Sequence, residues 1–404
     1  MKSWIEISAA RLAANYATLR QSAGESISVL AVIKANAYGH NAGLCARVLA
    51  HAGAGWLGVT DVREAIEVQI ELAKAGIPPE DQPRLLIMSG SLPEEAEPIV
   101  EQRLVPVVWT LAELDALHAA AVARNRRLDV HVEIDTGMSR QGCAVGAELE
   151  AILGWFAAQN ILTLDGIMTH FASAEIAGSY QNASQERAFE QAVAQVKASG
   201  LQPQWVHAGN SSAIDNLHAT PDPATSLLWL EHQAAALNAR AMVRTGLALY
   251  GYCLGVECEH GYNGPHESHV CSSLLPVLTW KARVIGLREI ATGTLVGYGG
   301  TFTATHPMRL ALLPVGYADG LRRELSSSSQ GGGWAMIHGQ KAPIVGRVSM
   351  NLTVVDVTAI DGVEVGDEAI VLGEGVTAED HARIAGTISY EILCGMKATP
   401  QLIP

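Results

Sequence analysis

From about residue 27 to 245 the chain repeats one pattern: a short β-branched or aliphatic run, a turn, and a longer alanine-rich stretch with helical periodicity. Such alternation indicates βα units, whose strands pair in parallel. Eight units predict a closed (β/α)8 barrel of the TIM type, with helices such as Val62 to Ala75 and Glu186 to Ala198 on its outside. The expected strands are Ile27 to Ile33, Trp56 to Val59, Arg84 to Met88, Val105 to Val108, Leu128 to Ile134, Leu162 to Thr169, Gln204 to His207 and Ala241 to Arg244.

After residue 250 the pattern changes to short apolar runs separated by glycine-bearing turns, which is typical of a mainly antiparallel β domain. Because 404 residues exceed what one hydrophobic core usually organises, we expect two domains. The predicted class is α/β plus β, with a barrel at residues 9–248 and a C-terminal β-strand domain at residues 249–404, joined by residues 1–8 through a strand at Trp4 to Ile7. The expected strands of this domain are Val277 to Ile290, Met308 to Val315, Lys341 to Val348, Leu352 to Val357 and Glu368 to Leu372.

Two segments interrupt these patterns. Ser326 to Gly333 reads SSSSQGGG, which cannot bury apolar surface and predicts a mobile loop. Gly251 to Ser273 reads as a surface insertion rich in thiols and imidazoles, which suit zinc, but their spacing fits no common zinc finger. We therefore favour reduced structural thiols and expect no metal. The side chains concerned are Cys253, Cys258, His260, His266, His269 and Cys271.

The charge balance excludes some partners. The chain has 27 basic and 41 acidic residues, a net charge of −14, which opposes sequence-independent attraction to nucleic acid or to an anionic membrane. No uninterrupted apolar run reaches the length of about 18 residues that a membrane span needs. The N-terminus meets Glu6 before a signal sequence could develop. We therefore expect a cytoplasmic protein that holds any anionic ligand through local groups.

Ionisable and polar residues follow the predicted barrel strands, at the end where barrels of this type place their active sites. Lys34 directly follows the apolar run VLAVI, a setting in which lysine is rare without a partner. Burial lowers the pKa of an amine, and a neutral amine can form a Schiff base with an aldehyde. The alternative is a strand-end lysine that reaches solvent. The other residues at this end are Ser89, Asp135, His170, His207 to Ser211 and Arg244.

Two small-residue loops, ANAYGH at 35–40 and HAGNSS at 207–212, suit an anion. Glycine lets backbone amides approach a phosphate, and serine and tyrosine hydroxyls complete its hydrogen bonds. Each loop alone is weak support. Together with a Schiff-base lysine, they indicate pyridoxal 5'-phosphate.

Motifs along nearly the whole chain are similar to one family. The chain resembles the bacterial-type alanine racemases, pyridoxal-phosphate enzymes with a barrel and a β domain. The Gly251 to Ser273 segment is longer than the family usually has. The matching stretches are VIKANAYGH at 32–40, DTGMSRQG at 135–142, GIMTHFASAE at 166–175, HAGNSS at 207–212, VRTGLALYG at 243–251, VGYGGTFT at 296–303, PVGYADG at 314–320, GRVSMN at 346–351 and ISYEIL at 388–393.

The resemblance implies two-base racemisation of a free amino acid. Lys34 would hold the cofactor as a Schiff base and act as one base, and Tyr298 would act on the opposite face from the second subunit of a homodimer. The resemblance therefore implies active sites shared between subunits. The other roles that it implies are phosphate binding by Tyr38, Ser211, Gly246, Leu247 and Tyr390, contact with the pyridine nitrogen by Arg244, positions beside the cofactor for His170 and His207, and substrate carboxylate binding by Arg140 and the Met350 amide.

Racemisation needs a proton removed from one face of Cα and another delivered to the opposite face, which one rigidly held base cannot readily do. Tyrosine titrates near 10 in isolation, so Tyr298 would need nearby positive charge to act near neutrality, with His170 and Arg244 as candidate sources. Alanine is the expected substrate, ahead of serine. A pyridoxal-phosphate decarboxylase and a non-catalytic cofactor-binding barrel are the alternatives, against which the VGYGGTFT motif and the β domain count.

Two residues depart from the family pattern. Glu133 stands where many alanine racemases have a lysine modified to a carbamate, and its shorter side chain makes support of Arg140 an open question. Asn351 stands where the family commonly has aspartate. The change removes a charge near the expected substrate entrance.

Overall fold

The computed structural model describes residues 1–216, 227–261, 268–327 and 331–404. The chain forms two compact units. The barrel unit comprises Leu12–Ala37 and Ala42–Leu275, and the β unit comprises Met1–Arg11, Tyr38–Asn41 and Pro276–Pro404.

The barrel unit contains a closed barrel of eight parallel strands, which confirms the predicted fold. Neighbouring strands pair in the order 4-3-2-1-8-7-6-5, and strand 4 pairs with strand 5 to close the ring. The carboxyl ends of all eight strands therefore surround one mouth. Barrel strands 1 to 8 are Ile27–Val32, Trp56–Val59, Arg84–Ile87, Val105–Val108, Leu128–Asp135, Leu162–Met168, Trp205–His207 and Arg240–Thr245.

Amphipathic helices follow the strands, as the periodicity predicts. In the helix Val62–Lys74, for example, Val62, Ala65, Val68 and Leu72 are buried at three- and four-residue spacing. Asp61 caps this helix by accepting a hydrogen bond from the Glu64 amide. The α-helices of the barrel unit, with Ala9–Ala23 that leads into it, are Ala42–His51, Val62–Lys74, Ala96–Glu101, Leu111–Ala123, Ala147–Ala157, Tyr180–Ser199, Ser211–Asp215 and Leu227–Ala236.

Three groups of strands build the β unit. A six-stranded sheet has the order Gln340–Pro343, Trp334–Ile337, Glu368–Leu372, Leu278–Arg283, Ser3–Ser8 and Pro400–Ile403, and it is antiparallel except for the last pair. An antiparallel three-stranded sheet has the order Gly286–Ile290, Met308–Leu313 and Thr353–Asp356. The short strands Leu295–Val296 and Phe302–Thr303 form a hairpin. Two helices, Ala378–Ala385 and Ser389–Cys394, complete the unit.

Two predicted strands of this region were wrong in extent. The single strand Val277 to Ile290 is two strands, Leu278–Arg283 and Gly286–Ile290, which belong to different sheets. Alternation of apolar residues continues through the corner and gives no sign of the change of sheet. The predicted strand Lys341 to Val348 ends at Pro343, where Gln340–Pro343 leaves the six-stranded sheet. The prediction also missed Trp334–Ile337, Pro400–Ile403 and both helices.

The thiol- and imidazole-bearing insertion lies in the barrel unit. None of the six cysteines, all of which the structure describes, forms a disulfide; Cys253 is buried and Cys258 is exposed. Within the described ranges, no group of three or more His, Cys, Asp and Glu side chains could hold a metal ion. His266 and the centre of the predicted mobile loop, Ser328 to Gln330, lie outside the described residues. No described helix is long and apolar enough to cross a membrane.

Candidate active site

Lys34 lies at the mouth of the barrel, two residues after barrel strand 1. The chain then turns in a left-handed sense: the φ angles of Ala35, Asn36, Ala37 and Tyr38 are 53°, 54°, 55° and 52°. Left-handed geometry costs L-residues about 1–2 kcal/mol each, so four in succession require support from their surroundings. This strained turn fixes the direction in which the backbone presents Lys34.

Glu64 supplies part of that support. One carboxylate oxygen accepts a hydrogen bond from the Asn36 amide at 2.7 Å, and the other accepts from the Thr60 amide at 2.7 Å. The turn is thereby joined to the start of the helix Val62–Lys74. Sequence reasoning missed Glu64, although the spacing of Asp61 and Glu64 is that of a helix capping box. Here the glutamate reaches the lysine loop.

Several cations lie near Lys34. Burial is the main cause that lowers the pKa of the Lys34 ammonium, and the positive charges of Arg140 and Arg244 lower it further. Glu133 and Glu64 oppose this effect. The environment thus increases the neutral, nucleophilic fraction of the amine, as Schiff-base chemistry requires.

Arg244, on barrel strand 8, is 2% exposed and links two histidines. Its Nη1 donates to His207 Nδ1 and its Nη2 to His170 Nδ1, both at 3.3 Å, while Nη2 also donates to the Thr169 carbonyl at 2.6 Å. Its buried Nε has no hydrogen-bond partner among the described residues. A guanidinium has donors only, so both imidazoles must accept through Nδ1.

Both histidines are held neutral. Burial, followed by the charges of Arg244, Arg140 and Lys34, lowers the pKa of His170 to about 3. Burial, followed by His131 and Arg244, lowers the pKa of His207 well below its ordinary value. Burial also lowers the pKa of Arg244, to about 10, so its guanidinium remains charged at neutral pH. One buried cation thus stands between two neutral imidazoles.

The loops that follow barrel strands 7 and 8 meet at Ser211. Ser211 begins a short helix after strand 7, and its Oγ accepts from the amides of Gly246 and Ala248 at 3.1 and 3.2 Å. Leu247, between these two residues, opens the 3-10 turn Leu247–Tyr250, whose first N–H groups have no acceptor inside the turn. The predicted phosphate residues Ser211, Gly246 and Leu247 are therefore together in the barrel unit.

Glu133 does not bond to Arg140. Its Oε2 accepts from Gln141 Nε2, which also donates to the Met88 carbonyl at 2.9 Å. Arg140 is exposed and has no ion-pair partner among the residues that the structure describes. Burial raises the pKa of Glu133, and the Gln141 bond and the charges of Arg244 and Arg140 partly oppose it. Glu133 therefore influences Arg140 through its charge rather than through a direct bond.

The β unit brings together Tyr38 and Tyr390, whose ring centroids are 5.8 Å apart. Tyr38 is buried, and its burial, with Tyr390 and Cys394 beside it, raises the pKa of its phenol. Tyr38 therefore remains a neutral hydrogen-bond donor, as phosphate binding requires.

The β unit also brings together the VGYGGTFT, PVGYADG and GRVSMN motifs. Tyr298 opens a 3-10 turn within the hairpin and is 70% exposed. The Tyr317 amide donates to the Ser349 carbonyl at 3.0 Å, beside Met350, a residue that is 56% exposed. Gly316 permits this approach, because a Cβ there would lie 2.1 Å from the Ser349 oxygen.

Asn351 fastens the same turn. Its Nδ2 donates to Asp319 Oδ2 at 3.3 Å, and that oxygen also accepts from the Gly316 amide at 2.9 Å. An aspartate at position 351 would place a second carboxylate against Asp319. The asparagine is therefore matched to its neighbour in this chain.

We expect Asn351→Asp to lower the thermal midpoint by about one degree at pH 7, because exposed like charges in contact cost up to ~1 kcal/mol. Repulsion raises the folded-state pKa of the new carboxyl. The decrease in the thermal midpoint should therefore be present at pH 7 and diminish as the pH falls through about 4. Asn351→Ala is the control, since it removes the bond without adding charge. If thermal scans show the same decrease in the midpoint of Asn351→Asp at pH 7 and at a pH below about 4, this account is contradicted.

Comparisons with known proteins agree with this arrangement. Residues 7–253 match the family model described as "Alanine racemase, N-terminal domain", and residues 277–403 match "Alanine racemase, C-terminal domain". The chain belongs to the alanine racemase family. An alanine racemase of Syntrophobacter fumaroxidans is 34% identical over 98% of this chain and 95% of its own length.

Solved alanine racemases share the fold. The enzyme from Streptomyces coelicolor A3(2) has a TM-score of 0.84 and 31% identity, covering 99% of this chain and 97% of that chain. The alanine racemase of Bartonella henselae, solved with covalently bound pyridoxal phosphate, has a TM-score of 0.79 and 26% identity, covering 100% of both chains. These likenesses extend over both units of the chain.

Proposed function

We propose that this protein is a pyridoxal 5'-phosphate-dependent isomerase that interconverts L-alanine and D-alanine, with Lys34 and Tyr298 as opposing proton carriers. The observation that carries the proposal is the grouping at the barrel mouth. Lys34, with its lowered pKa, lies near a buried Arg244 cation, and Ser211 adjoins the amides that open a 3-10 turn. In this proposal residues 9–248 form the cofactor-holding barrel domain, and residues 249–404 with 1–8 form the second domain.

The residues present fit this cofactor. The Ser211 hydroxyl and the Leu247 amide offer donors for a phosphate at the start of a 3-10 turn, and the Gly246 amide, which donates to Ser211 Oγ, lies beside them. The buried Arg244 Nε has no partner among the described residues, which suits a residue that faces a ring acceptor. Tyr38 and Tyr390 add hydroxyl donors in this proposal. The Bartonella henselae relative carries pyridoxal phosphate covalently, and Lys34 is the residue that we assign to that bond here.

The bound cofactor delocalises negative charge and so makes the substrate Cα proton removable. Lys34 Nζ moves the proton on one face of Cα, and Tyr298 Oη moves it on the other. Arg244, a permanent cation at neutral pH, disfavours a proton on the ring nitrogen. His170 and His207 fix the guanidinium, and Arg140 with the Met350 amide holds the substrate carboxylate.

We also propose a homodimer whose active sites are shared between subunits. Support comes from the exposure of Tyr298 and Met350, two residues of the proposed site, at 70% and 56%. Full activity of a monomer in sedimentation experiments would contradict shared sites.

A chiral chromatography assay of the purified holoenzyme against a panel of L-amino acids tests the activity. We expect turnover of L-alanine to a racemic mixture, with serine slower, since pockets discriminate a methyl from a hydroxymethyl only modestly. Release of CO2 from any substrate would favour a decarboxylase. Bound cofactor without turnover of any amino acid would overturn the proposal.

A further inference from the structure

A buried polar chain extends from Arg244 down the inside of the barrel. His207 Nε2 lies 2.8 Å from His131 Nδ1, and His131 Nε2 lies 3.2 Å from Asp165 Oδ2. His131 and Asp165, on barrel strands 5 and 6, are 0% and 4% exposed. The proposed reaction has no direct use for either residue, yet both are connected to its central cation.

The donors at one end fix the tautomers. Arg244 can only donate, so His207 Nδ1 accepts and the proton of the neutral His207 is on Nε2. His207 therefore donates to His131 Nδ1. The proton of the neutral His131 must then be on Nε2, where it meets Asp165.

The hydrogen bonds at the Asp165 end of this polar network require the same tautomers. Arg84, on barrel strand 3, donates from Nη1 to Asp165 Oδ2 at 3.0 Å and from Nη2 to Asp129 Oδ2 at 2.7 Å. Burial raises the pKa of Asp165, but hydrogen bonds from His131 and Arg84 outweigh it and lower the pKa overall. A carboxylate accepts only, so His131 must donate to it through Nε2. Both ends thus select one tautomer of each imidazole.

Neighbouring residues of the barrel pack closely around His131, the central member of the polar network. A Cβ on Gly166 would lie 2.6 Å from His131 Nδ1, so glycine leaves the space that the ring occupies. The Trp56 ring lies 5.4 Å from the His131 ring, between centroids, and the Arg84 guanidinium lies 4.3 Å over the Trp56 ring. Burial, against the opposing effect of Asp165, lowers the pKa of His131 and keeps the ring neutral.

We propose that Asp165, acting through His131, is a positioning residue that holds His207 in the tautomer whose Nδ1 accepts from Arg244, and so aims the guanidinium at the cofactor ring. The inference rests on the proposed function, because Arg244 is assigned there to the ring nitrogen. Without the carboxylate, His131 can turn its donor toward His207. The His207 proton would then move to Nδ1 and face a cation.

The direct test is 15N NMR of the holoenzyme labelled at histidine, which separates protonated from unprotonated ring nitrogens. For His131 and His207 we expect Nδ1 to be unprotonated and Nε2 protonated from pH 6 to 9. The NMR spectrum does not depend on racemase activity. The predicted tautomers can therefore be observed even if the protein shows no racemase activity, so the two proposals are tested separately. A protonated Nδ1 on His207 in the wild-type protein would overturn the inference without any variant.

Two substitutions of one side chain separate positioning from packing. Asp165→Leu removes the acceptor at similar volume, and we expect mixed tautomers, an altered pH titration of the cofactor absorbance band, and a kcat lower by about tenfold or more with KM little changed. Asp165→Asn keeps an acceptor oxygen and should restore the tautomers and most of kcat. Asp129→Asn, at the other carboxylate that holds Arg84, is the matched control and should leave the tautomers unchanged.

Each outcome is decisive. Wild-type tautomers and an unaltered cofactor titration in Asp165→Leu would overturn the inference, as would equal effects of Asp165→Asn and Asp165→Leu on the tautomers. If Asp165→Leu does not fold, a protonated Nδ1 on His207 in the wild-type protein or in Asp165→Asn still overturns the inference.

Discussion

Replacement of Lys34 by alanine is expected to abolish the visible absorbance band of the holoenzyme, at about 420 nm for a protonated Schiff base of this cofactor. No other described side chain combines an amine, a position at the end of barrel strand 1 and a pKa lowered by burial. We therefore expect racemisation to fall by several orders of magnitude and the cofactor to be lost on gel filtration. Absorbance spectra and a chiral assay measure both effects.

Two controls separate loss of the amine from loss of the fold. Added methylamine should restore part of the activity, because the cavity left at Lys34 can admit a small amine in place of Nζ. Tyr298→Phe should retain the band. An unchanged spectrum in Lys34→Ala would show that another group holds the cofactor and would remove the basis of the proposed function.

The barrel could be predicted because its signal is local and repeated. The local sequence pattern of each βα unit predicts its own strand, turn and helix. Errors of one or two residues at the strand ends do not change the order in which the strands pair. The β unit was harder, because its sheets join segments that are far apart in the chain. Ser3–Ser8 lies between Leu278–Arg283 and Pro400–Ile403, and no short-range pattern specifies these partners.

The sequence of barrel strand 5 contains a pattern that points to the polar network inside the barrel. Barrel strand 5 reads LDVHVEID, with Asp129, His131, Glu133 and Asp135 at alternate positions. Such alternation normally indicates a face in water, but in a closed barrel with helices outside, one face of each strand points to the interior. Polar residues at alternate positions of a barrel strand therefore predict a buried polar network. Their partners, such as Arg84 and Asp165, still required the structure.

Replacement of Tyr298 by phenylalanine is expected to leave the cofactor bound and to lower racemisation in both directions by several orders of magnitude, because it removes an essential proton carrier. In the proposed mechanism Lys34 takes the proton of the D enantiomer and Tyr298 that of the L enantiomer. Each group acts as the acid in the reverse direction. The two faces of the site should therefore respond unequally to the substitution.

Hydrogen exchange in deuterated water measures that inequality directly. The Tyr298→Phe enzyme should still exchange the Cα hydrogen of D-alanine slowly through Lys34, whereas L-alanine should exchange far less, since no base faces its proton. Tyr180→Phe is the matched control, because Tyr180 is also an exposed tyrosine, at 76%, and is remote in sequence from every motif of the β unit. We expect this variant to behave as the wild-type enzyme. If Tyr298→Phe racemises alanine at a near wild-type rate, or exchanges both enantiomers equally, Tyr298 is not the second base. The two-base assignment would then have to be abandoned even if Lys34→Ala loses its absorbance band, because that band reports only on the residue that carries the cofactor.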